Sequence, residues 1–360
     1  MKLFNPGRLL ILLFSVLSLS WEPAGYSETR HVDLVFCMDL SASTNGVLND
    51  VRNRIWNIAN GILRENEKTD LRIGVVGYGR PSFGGRTGFV KVISELSNDL
   101  DRASYNLFQL KAVIEKGDQF VPNALFETFK GLSWSKDPAA EKMVFLFGNG
   151  SVYTGSINLA DICEEYKKNN IRINTIFVSQ NSRIISQIVG YKKIAEETGG
   201  KFYIMTASSR QMIYNSPQLP PMVSILNDSL NKTFMFYSKD AEERKKFLFE
   251  TDKNVMKYGN GYFYSRMLYK TSKHYIEGYP DYDLTSYFMK YNKIPERLNL
   301  DFLNKSENTM NISEIERRVH KKTLDRIRLS DEIKNIFGKI DPNSSPTDTL
   351  LDNFVLDSYH

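Results

Sequence analysis

The chain of 360 residues is poor in the residue types that most often carry chemistry. It contains only two cysteines and four histidines, and neither type recurs at a spacing that suits a metal centre. Two cysteines also cannot build the disulfide framework of a small secreted scaffold. Cys37 lies in the strand-like segment DLVFCMD and Cys163 in the helix-like segment NLADICEEYKK, and we predict that both are buried as small hydrophobic residues.

Catalytic motifs are missing as well. The sequence has no G-x-S-x-G elbow, no H-E-x-x-H pair and no glycine-rich loop that ends in Gly-Lys-Ser/Thr. The glycines of 77–85 lead into another strand-like segment, so they indicate a connection and not a nucleotide site. We therefore predict that the protein is not an enzyme. A hydrolase that uses Asp39, Ser41 and Ser43 is the weakest alternative, since no histidine is expected near them.

An excess of one charge is also absent. The chain has 47 basic and 42 acidic residues, which gives a formal net charge of +5. The two signs are interleaved along the sequence, so we predict no nucleic-acid partner. Apolar residues make up 41% of the chain, which is enough for a sizeable core.

Long hydrophobic runs are confined to the N-terminus. Lys2 and Arg8 precede the apolar run 9–19, and small serines follow it. A basic, then apolar, then small-residue order is typical of a secretory signal, and the run is short for a membrane span. We predict a signal peptide at 1–20, a linker at 21–30 and an exported protein: periplasmic, cell-envelope or secreted. A membrane would be a partner only if the signal remained uncleaved.

Residues 31–206 alternate strand-like and helix-like segments, which predicts an α/β fold with a doubly wound, mostly parallel sheet. The run 89–94 alternates apolar and polar residues, as an antiparallel edge strand would. The other runs are almost wholly apolar, as expected of strands that are buried on both faces. The predicted strands are 32–38, 71–79, 89–94, 142–148, 172–178 and 201–205, and the predicted helices are 45–67, 107–115, 123–132, 159–168 and 183–197.

A proline-rich segment then ends the alternation. We predict a domain at 31–209 and a helical C-terminal extension at 210–340. In its last helix Ser313 and Glu316 have the spacing of a capping box. The final residues, 341–360, carry prolines, aspartates and serines and are predicted to form a flexible tail.

The first buried strand ends abruptly in polar residues, in the segment VFCMDLSAST. Ligands of doubly wound sheets bind beyond the carboxyl ends of the strands, and Asp39, Ser41 and Ser43 lie there. Their carboxylate and hydroxyl oxygens are hard ligands that suit Mg²⁺ or Mn²⁺. Alternatively, Ser43, Thr44 or Asn45 caps the following helix.

An apolar strand, then D-x-S-x-S, then an amphipathic helix resembles the metal-ion-dependent adhesion site of von Willebrand factor type A domains. The resemblance covers about residues 31–206 and extends to the segments LRIGVVGYGR, KMVFLFGNG and IAEETGGKFYIM. It implies that fold and a protein-binding function. In that family a bound cation keeps one coordination position open, and an acidic side chain of the partner completes it.

The resemblance fails at two positions of the implied metal site. Asn149 stands where the family has an aspartate at the end of the fourth strand. No threonine stands in the second loop, where Asp118 and Gln119 are the nearest oxygen donors. The implied ligands are Asp39, Ser41 and Ser43, with support from Asn149 and from Asp118 or Gln119. A retained fold with a metal-free site is the alternative.

A second resemblance lies in the extension. The segments ILNDSLNKTFMFY, ETDKNV, RMLYKTSKHY and YDL are similar to the region that follows the type A domain in a group of bacterial proteins, which implies a bacterial exported protein. We predict that Asn227, Asn231 and Thr233 cap helices or bond the backbone. The aromatic residues are predicted to form a packed core, and Asp281 and Asp283 a solvated turn.

These patterns lead to two functional hypotheses. The first is an exported, adhesion-type protein-binding module, with or without a divalent cation. The second is a metal-free structural or assembly component of the cell envelope that binds through the helical extension. The sequence does not identify the partner or the oligomeric state.

Overall fold

The fold was analysed in a computed structural model, which describes residues 29–44, 47–66, 68–110, 115–153, 155–179, 185–206, 220–257, 260–303, 309–337 and 349–359. The predicted signal peptide (1–20) and most of the predicted linker (21–30) lie outside these residues.

A six-stranded sheet forms the centre of the protein, with strand order β3-β2-β1-β4-β5-β6. All neighbouring strands are parallel except β3, which runs antiparallel to β2 at the edge. The prediction of a doubly wound, mostly parallel sheet with one antiparallel edge strand is therefore confirmed. The strands are β1 (His31–Asp39), β2 (Asp70–Tyr78), β3 (Lys91–Ser97), β4 (Glu141–Gly148), β5 (Ile171–Ser179) and β6 (Phe202–Thr206).

Three helices cover one face of the sheet: α3 (Val121–Gly131), α4 (Leu159–Lys168) and α5 (Ile185–Glu197). Successive residues of a strand point to opposite faces, so Val35 and Cys37 of β1 pack on this side. Both cysteines are free and buried within this layer, as the sequence predicts.

The opposite face is covered by α1 (Val47–Glu65) and α2 (Leu100–Gln109). The prediction of a helix at 107–115 is wrong, because the helix begins seven residues earlier. The Asp99 carboxylate accepts a hydrogen bond of 2.9 Å from the backbone N–H of Arg102, so this N-cap sets the start of α2.

The last helix, α12 (Thr349–Tyr359), also lies on this face of the sheet. Phe354 stacks on Tyr203 of β6 at 5.1 Å between ring centroids and meets Phe145 of β4 edge-on. Val355 is fully buried. The prediction of a flexible tail at 341–360 is therefore wrong for residues 349–359, because Phe354 and Val355 pack against this face of the sheet.

Between β6 and α12 the chain forms the helical extension, and this prediction is confirmed. The extension packs on the outer side of α1 and α2, where Trp56 contacts Tyr269 and Tyr105 contacts Phe247. Within the part of the chain that the structure describes, no helix is both long and apolar enough to span a bilayer. The extension consists of α6 (Pro221–Asn231), α7 (Ala241–Met256), α8 (Asn260–Lys270), α9 (Lys273–Glu277), α10 (Leu284–Tyr291) and α11 (Ile312–Phe337).

The capping box of α11 lies two residues earlier than predicted. Asn311 Oδ1 accepts a hydrogen bond from the Glu314 backbone N–H, and a Glu314 carboxylate oxygen accepts one from the Asn311 N–H. This reciprocal pair is the capping box of α11, so its assignment to Ser313 and Glu316 is wrong. Asparagine accepts at an N-cap as well as serine does.

A buried charge cluster joins α6, α7 and α8. Lys270 Nζ donates to Asp252 Oδ2 and Asn227 Oδ1, both at 2.9 Å, and to Asn231 Oδ1. The amide nitrogens of Asn227 and Asn231 donate to Asp252 Oδ2 at 3.0 and 2.9 Å. The prediction that these asparagines cap helices is therefore wrong for their side chains, which complete the coordination of a buried ion pair.

This cluster continues into the sheet domain through Arg266. The guanidinium pairs with Asp252 and, at 2.6 Å, with Asp101 of α2. It also lies over the Trp56 ring of α1 at 4.5 Å. Tyr275 donates to the other Asp101 oxygen at 2.7 Å. Because a buried charge is costly without its partners, these contacts fix the extension to α1 and α2.

A second buried pair anchors α10 to α11. Arg326 Nη1 lies 2.7 Å from Asp283 Oδ2, and Arg326 Nε donates to the Thr233 hydroxyl at 2.9 Å. Asp283 also caps α10 by accepting from the backbone N–H groups of Thr285 and Ser286. The solvated turn predicted for Asp283 is therefore wrong, because this carboxylate is fully buried.

Candidate functional site

The carboxyl ends of β1, β2 and β4 converge at one edge of the sheet. Asp39 is the last residue of β1 and pairs in register with Tyr78, the last residue of β2. Asn149 follows β4 directly. We call the surface formed by the loops beyond these ends, together with residues 115–120, the carboxyl-edge surface.

The turn after β1 is built by its own polar side chains. Asp39 Oδ1 accepts a 2.9 Å hydrogen bond from the Ser41 backbone N–H. The Thr44 hydroxyl donates to the carbonyl oxygens of Asp39 and Ser41 at 2.7 and 3.1 Å. The hydroxyls of Ser41 and Ser43 lie 2.9 Å apart. Thr44 therefore closes this turn through these two hydrogen bonds. Asn45, another of the predicted caps, lies outside the described residues.

Asn149 meets this turn from β4. Its Nδ2 donates to the backbone carbonyl of Ser43 at 3.1 Å, and its Oδ1 accepts from the Ser43 hydroxyl at 2.9 Å. A carbonyl oxygen can only accept, so the amino group of Asn149 must face it. The Ser43 hydroxyl consequently donates its proton to Asn149 Oδ1.

Gln119 completes the arrangement. Its Nε2 donates to the Ser41 hydroxyl at 2.7 Å and also to the Ser43 hydroxyl. Because the proton of Ser43 points to Asn149, the oxygen of Ser43 accepts here, and the nitrogen of Gln119 must be the donor. Ser41, Ser43, Gln119 and Asn149 form a hydroxyl–amide cluster in which every hydroxyl has partners.

The backbone before Gln119 is pinned to the neighbouring loops. The Glu115 carbonyl accepts from the Ala42 N–H at 3.0 Å, and the Glu115 carboxylate accepts from the N–H and hydroxyl of Ser82. These bonds lower the pKa of Glu115. A Cβ at Gly117 would lie 2.5 Å from the carbonyl oxygen of Gly79, so only glycine permits this approach.

Asp118 does not join the cluster. Its side chain is exposed, and no contact in the described part of the chain connects it to the polar residues after β1. Neighbouring residues of an extended segment point to opposite sides, so the inward side chain of Gln119 places Asp118 outward. The prediction of Asp118 as a supporting metal ligand is therefore wrong in this conformation.

Asp39 is the buried charge of the site. The carboxyl group is fully buried, and burial raises its pKa to about 6 although the Ser41 N–H opposes the shift. Among the described residues, its Oδ2 has no hydrogen-bond partner. Gly79 has a φ of 80° and a Cβ there would lie 2.8 Å from Asp39 Oδ1, so the close approach of β2 requires glycine.

The donor set gives mixed support for a divalent cation. The unpartnered Oδ2 of Asp39 and the two serine hydroxyls are hard donors of the right type. However, the Gln119 amino group, which is no ligand for a hard cation, lies against both hydroxyls. The described residues also contain no group of three or more His, Cys, Asp or Glu side chains that could hold a metal. The residues as arranged therefore do not fit Mg²⁺ or Mn²⁺.

Three features of this edge have no counterpart in the sequence patterns. Arg80 is buried and donates from Nε to the Leu40 carbonyl at 2.8 Å, which ties the loop after β2 to the turn after β1. Phe89 and Phe120 stack at 6.0 Å between centroids, next to the glutamine. The exposed Tyr153, 64% accessible, lies in the loop after β4.

No family model matches the chain, and no curated protein matches it. Among solved structures it is similar to the type A domain of SpRpn10, at 13% identity and a TM-score of 0.36, over 51% of this chain and 91% of that one. Proximal thread matrix protein 1 from the mussel byssus, with a zinc-occupied adhesion motif, is 15% identical at a TM-score of 0.38, over 51% of this chain and 43% of that one. A von Willebrand factor type A protein from Catenulispora acidiphila is 15% identical at a TM-score of 0.35, over 49% of this chain and 39% of that one.

This chain therefore spans less than half the length of the latter two chains. The assignment of the fold rests on the observed, mostly parallel sheet with one antiparallel edge strand, which is the arrangement that the resemblance to type A domains implies.

Proposed function

We propose that this protein is a binding module that recognises a protein partner with its carboxyl-edge surface. The observation that carries the proposal is the combination of an exposed tyrosine, Tyr153, with the hydrogen-bonded hydroxyl–amide cluster at the same edge of the sheet. Tyrosine at a surface supplies a large contact area and a polar tip at low entropic cost, which is why it is enriched in interfaces.

Tight packing between the loops supports this surface. A Cβ added at Gly155 would lie 2.6 Å from Asn123 Oδ1 and 3.6 Å from the Phe120 ring, and one at Gly88 would lie 2.8 Å from the Asn123 amide. The start of α3 therefore joins the loop after β2 to the loop after β4. A surface held in one conformation binds without paying for loop ordering.

A non-catalytic role fits the chemistry of the site. The described histidines lie elsewhere: His31 begins β1 at the opposite edge of the sheet, and His274 and His320 belong to the extension. Ser41 and Ser43 thus have no imidazole base within their cluster, and the amides around them neither accept nor release protons near neutral pH.

The proposed recognition needs neither Mg²⁺ nor Mn²⁺. The hydroxyl–amide cluster gives Ser41 and Ser43 their hydrogen-bond partners without a cation. An acidic side chain of a partner would therefore find no metal ion whose coordination it could complete. Hydrogen-bonding and aromatic groups of a partner suit the half-buried amides and the exposed Tyr153 better, because the buried charge of Asp39 repels a carboxylate.

The test is site-specific photo-crosslinking in the cells that make the protein. A photoreactive phenylalanine analogue is placed at Tyr153 or, as a control, at Phe249 of α7, which is 44% exposed and belongs to the helical extension. We expect a discrete protein adduct from position 153, unchanged by a chelator, and none from position 249. Equal labelling from both positions, or none from position 153, would contradict the proposal.

Export remains part of the proposal and rests on the order of basic, apolar and small residues in 1–20. We expect the mature chain in the periplasmic, envelope or secreted fraction, without these residues. Mass spectrometry of the fractionated protein would reveal its N-terminus, and a full-length chain in the cytoplasm would refute export.

The extension provides a second candidate surface. Met222 and Ile225 on α6 and Leu324 and Ile327 on α11 are exposed one turn apart on helices that contact each other, which suits a structural or assembly role. Deleting residues 210–340 cannot test this idea, because the extension shares its core with the sheet domain. Ile225→Ser and Leu324→Ser together should abolish partner binding under this second hypothesis and leave it intact under the first.

A further inference from the structure

We infer that the side-chain amide of Gln119 takes the place of a divalent cation between Ser41 and Ser43, so that the carboxyl-edge surface is assembled by a single neutral side chain. The inference concerns the surface on which the proposed function rests, but it is tested without a partner.

The orientation of the amide follows from a chain of hydrogen bonds that starts at a backbone carbonyl. The Ser43 carbonyl requires the Asn149 amino group, which places Asn149 Oδ1 opposite the Ser43 hydroxyl. That hydroxyl therefore donates to Asn149 and accepts from Gln119. Turning the Gln119 amide by 180° would place two acceptors, Oε1 and the oxygen of Ser43, against each other without a proton between them.

Gln119 Nε2 bridges the two hydroxyls from one side. It lies 2.7 Å from Ser41 Oγ and within hydrogen-bond distance of Ser43 Oγ. A Mg²⁺ ion coordinated by both oxygens on this side would sit about 2.1 Å from each, where it would overlap the amino group. The amide nitrogen also has no free lone pair with which to bind a metal.

The glutamine cannot easily swing away. A Cβ added at Gly150 would lie 2.4 Å from both Cβ and Oε1 of Gln119, so the backbone after β4 lies close against this side chain. On its other side, Glu115 and Gly117 pin the segment to the loops after β1 and β2. The amide is therefore held in the cluster from both directions.

The charge of the site also argues against a bound divalent cation. A strongly hydrated divalent cation is favoured by negatively charged oxygen ligands, and Asp39 is the sole carboxylate that the described structure places within the site. Replacing the Gln119 amino group by a carboxylate oxygen would add the missing charge without a change of shape. Gln119→Glu is thus the smallest change that should convert the cluster into a cation site.

The experiment is isothermal titration of the purified protein with Mg²⁺ and Mn²⁺, supported by electron paramagnetic resonance of Mn²⁺. We expect no saturable binding by the wild type up to millimolar concentrations. Gln119→Glu should bind Mn²⁺ at least about tenfold more tightly than the wild type, and a further Asp39→Asn change should remove this binding. Gln109→Glu on the exposed end of α2 is the matched control and should leave the wild-type result unchanged.

Two outcomes would overturn the inference. One is saturable binding by the wild type that Asp39→Asn removes. The other is a folded Gln119→Glu variant, checked by its thermal melt, that binds no more Mn²⁺ than the control. Neither result depends on a partner, so failure here and failure of the crosslinking test are distinguishable.

Discussion

The substitution Lys270→Met should destabilise the whole protein by breaking the charge cluster between α6, α7 and α8. The ammonium group is fully buried and donates to Asp252, Asn227 and Asn231. Its loss leaves Asp252 less compensated and two amide oxygens without a donor. Removal of one partner from a buried ion pair costs about 3–5 kcal/mol. This is a large part of the free energy of unfolding of a folded domain, which is typically about 5–15 kcal/mol.

Urea denaturation followed by circular dichroism measures this loss as a lower midpoint at an unchanged slope. Because Arg266 links the same cluster to Asp101 in the sheet domain, we expect one cooperative transition for both regions. Lys253→Met on α7 is the matched control. Its side chain is 65% exposed and pairs with Glu250 one turn away, so the loss of its charge should cost at most about 0.5 kcal/mol.

A double variant separates the loss of the pair from the burial of an unpaired charge. Lys270→Met combined with Asp252→Leu removes both charges and should recover part of the loss, about 1–3 kcal/mol. A Lys270→Met variant that loses less than about 1 kcal/mol, or that unfolds in two separate transitions, would refute the reasoning that this cluster fastens the extension to the sheet domain.

Two further changes test the remaining packing and the pH dependence of stability. Phe354→Ala removes the stacking partner of Tyr203 and should lower the free energy of unfolding by about 2 kcal/mol, because the ring is only partly buried. The control Phe249→Ala, on the exposed face of α7, should cost less than half as much in the same urea denaturation. Equal losses would contradict the packing role of α12. Burial lowers the pKa of His274, whose Nε2 donates to the Leu71 carbonyl, so its contribution to stability is present above the unfolded pKa of about 6.5 and is lost as the pH falls below it. The wild type should therefore lose more stability than His274→Gln between pH 7.5 and pH 5, and parallel pH profiles would contradict this assignment.

The sheet and the location of the site could be predicted because they depend on local patterns. Apolar runs identify strands buried on both faces, and the carboxyl ends of parallel strands meet at one edge. Asp39, Ser41 and Ser43 were therefore expected together, and Asn149 could be placed beside them from the end of β4. The start of α2 depends on the N-cap at Asp99, which apolar spacing alone does not reveal.

Long-range contacts account for the rest. The inward turn of Gln119 depends on the hydrogen bonds of Glu115 and on the contact between Gly117 and Gly79, and no spacing rule encodes either. Asn227 and Asn231 resemble helix caps in the sequence because their partners, Asp252 and Lys270, lie far along the chain.

The tail is a different case, since its signal was present. Phe354, Val355 and Leu356 form an apolar group within the last twelve residues. The prolines and serines that precede them favour a flexible tail, whereas the apolar group itself lies in a helix that packs on the sheet. Composition over a window of twenty residues hid this short amphipathic segment.

The most direct measurement of the central claim is a crystal structure of the wild type grown with Mn²⁺, with anomalous diffraction recorded at the manganese edge. We predict no anomalous peak between the hydroxyls of Ser41 and Ser43 and continuous density for the Gln119 amide in contact with both. A manganese peak at that position, with the Gln119 side chain displaced, would contradict the account.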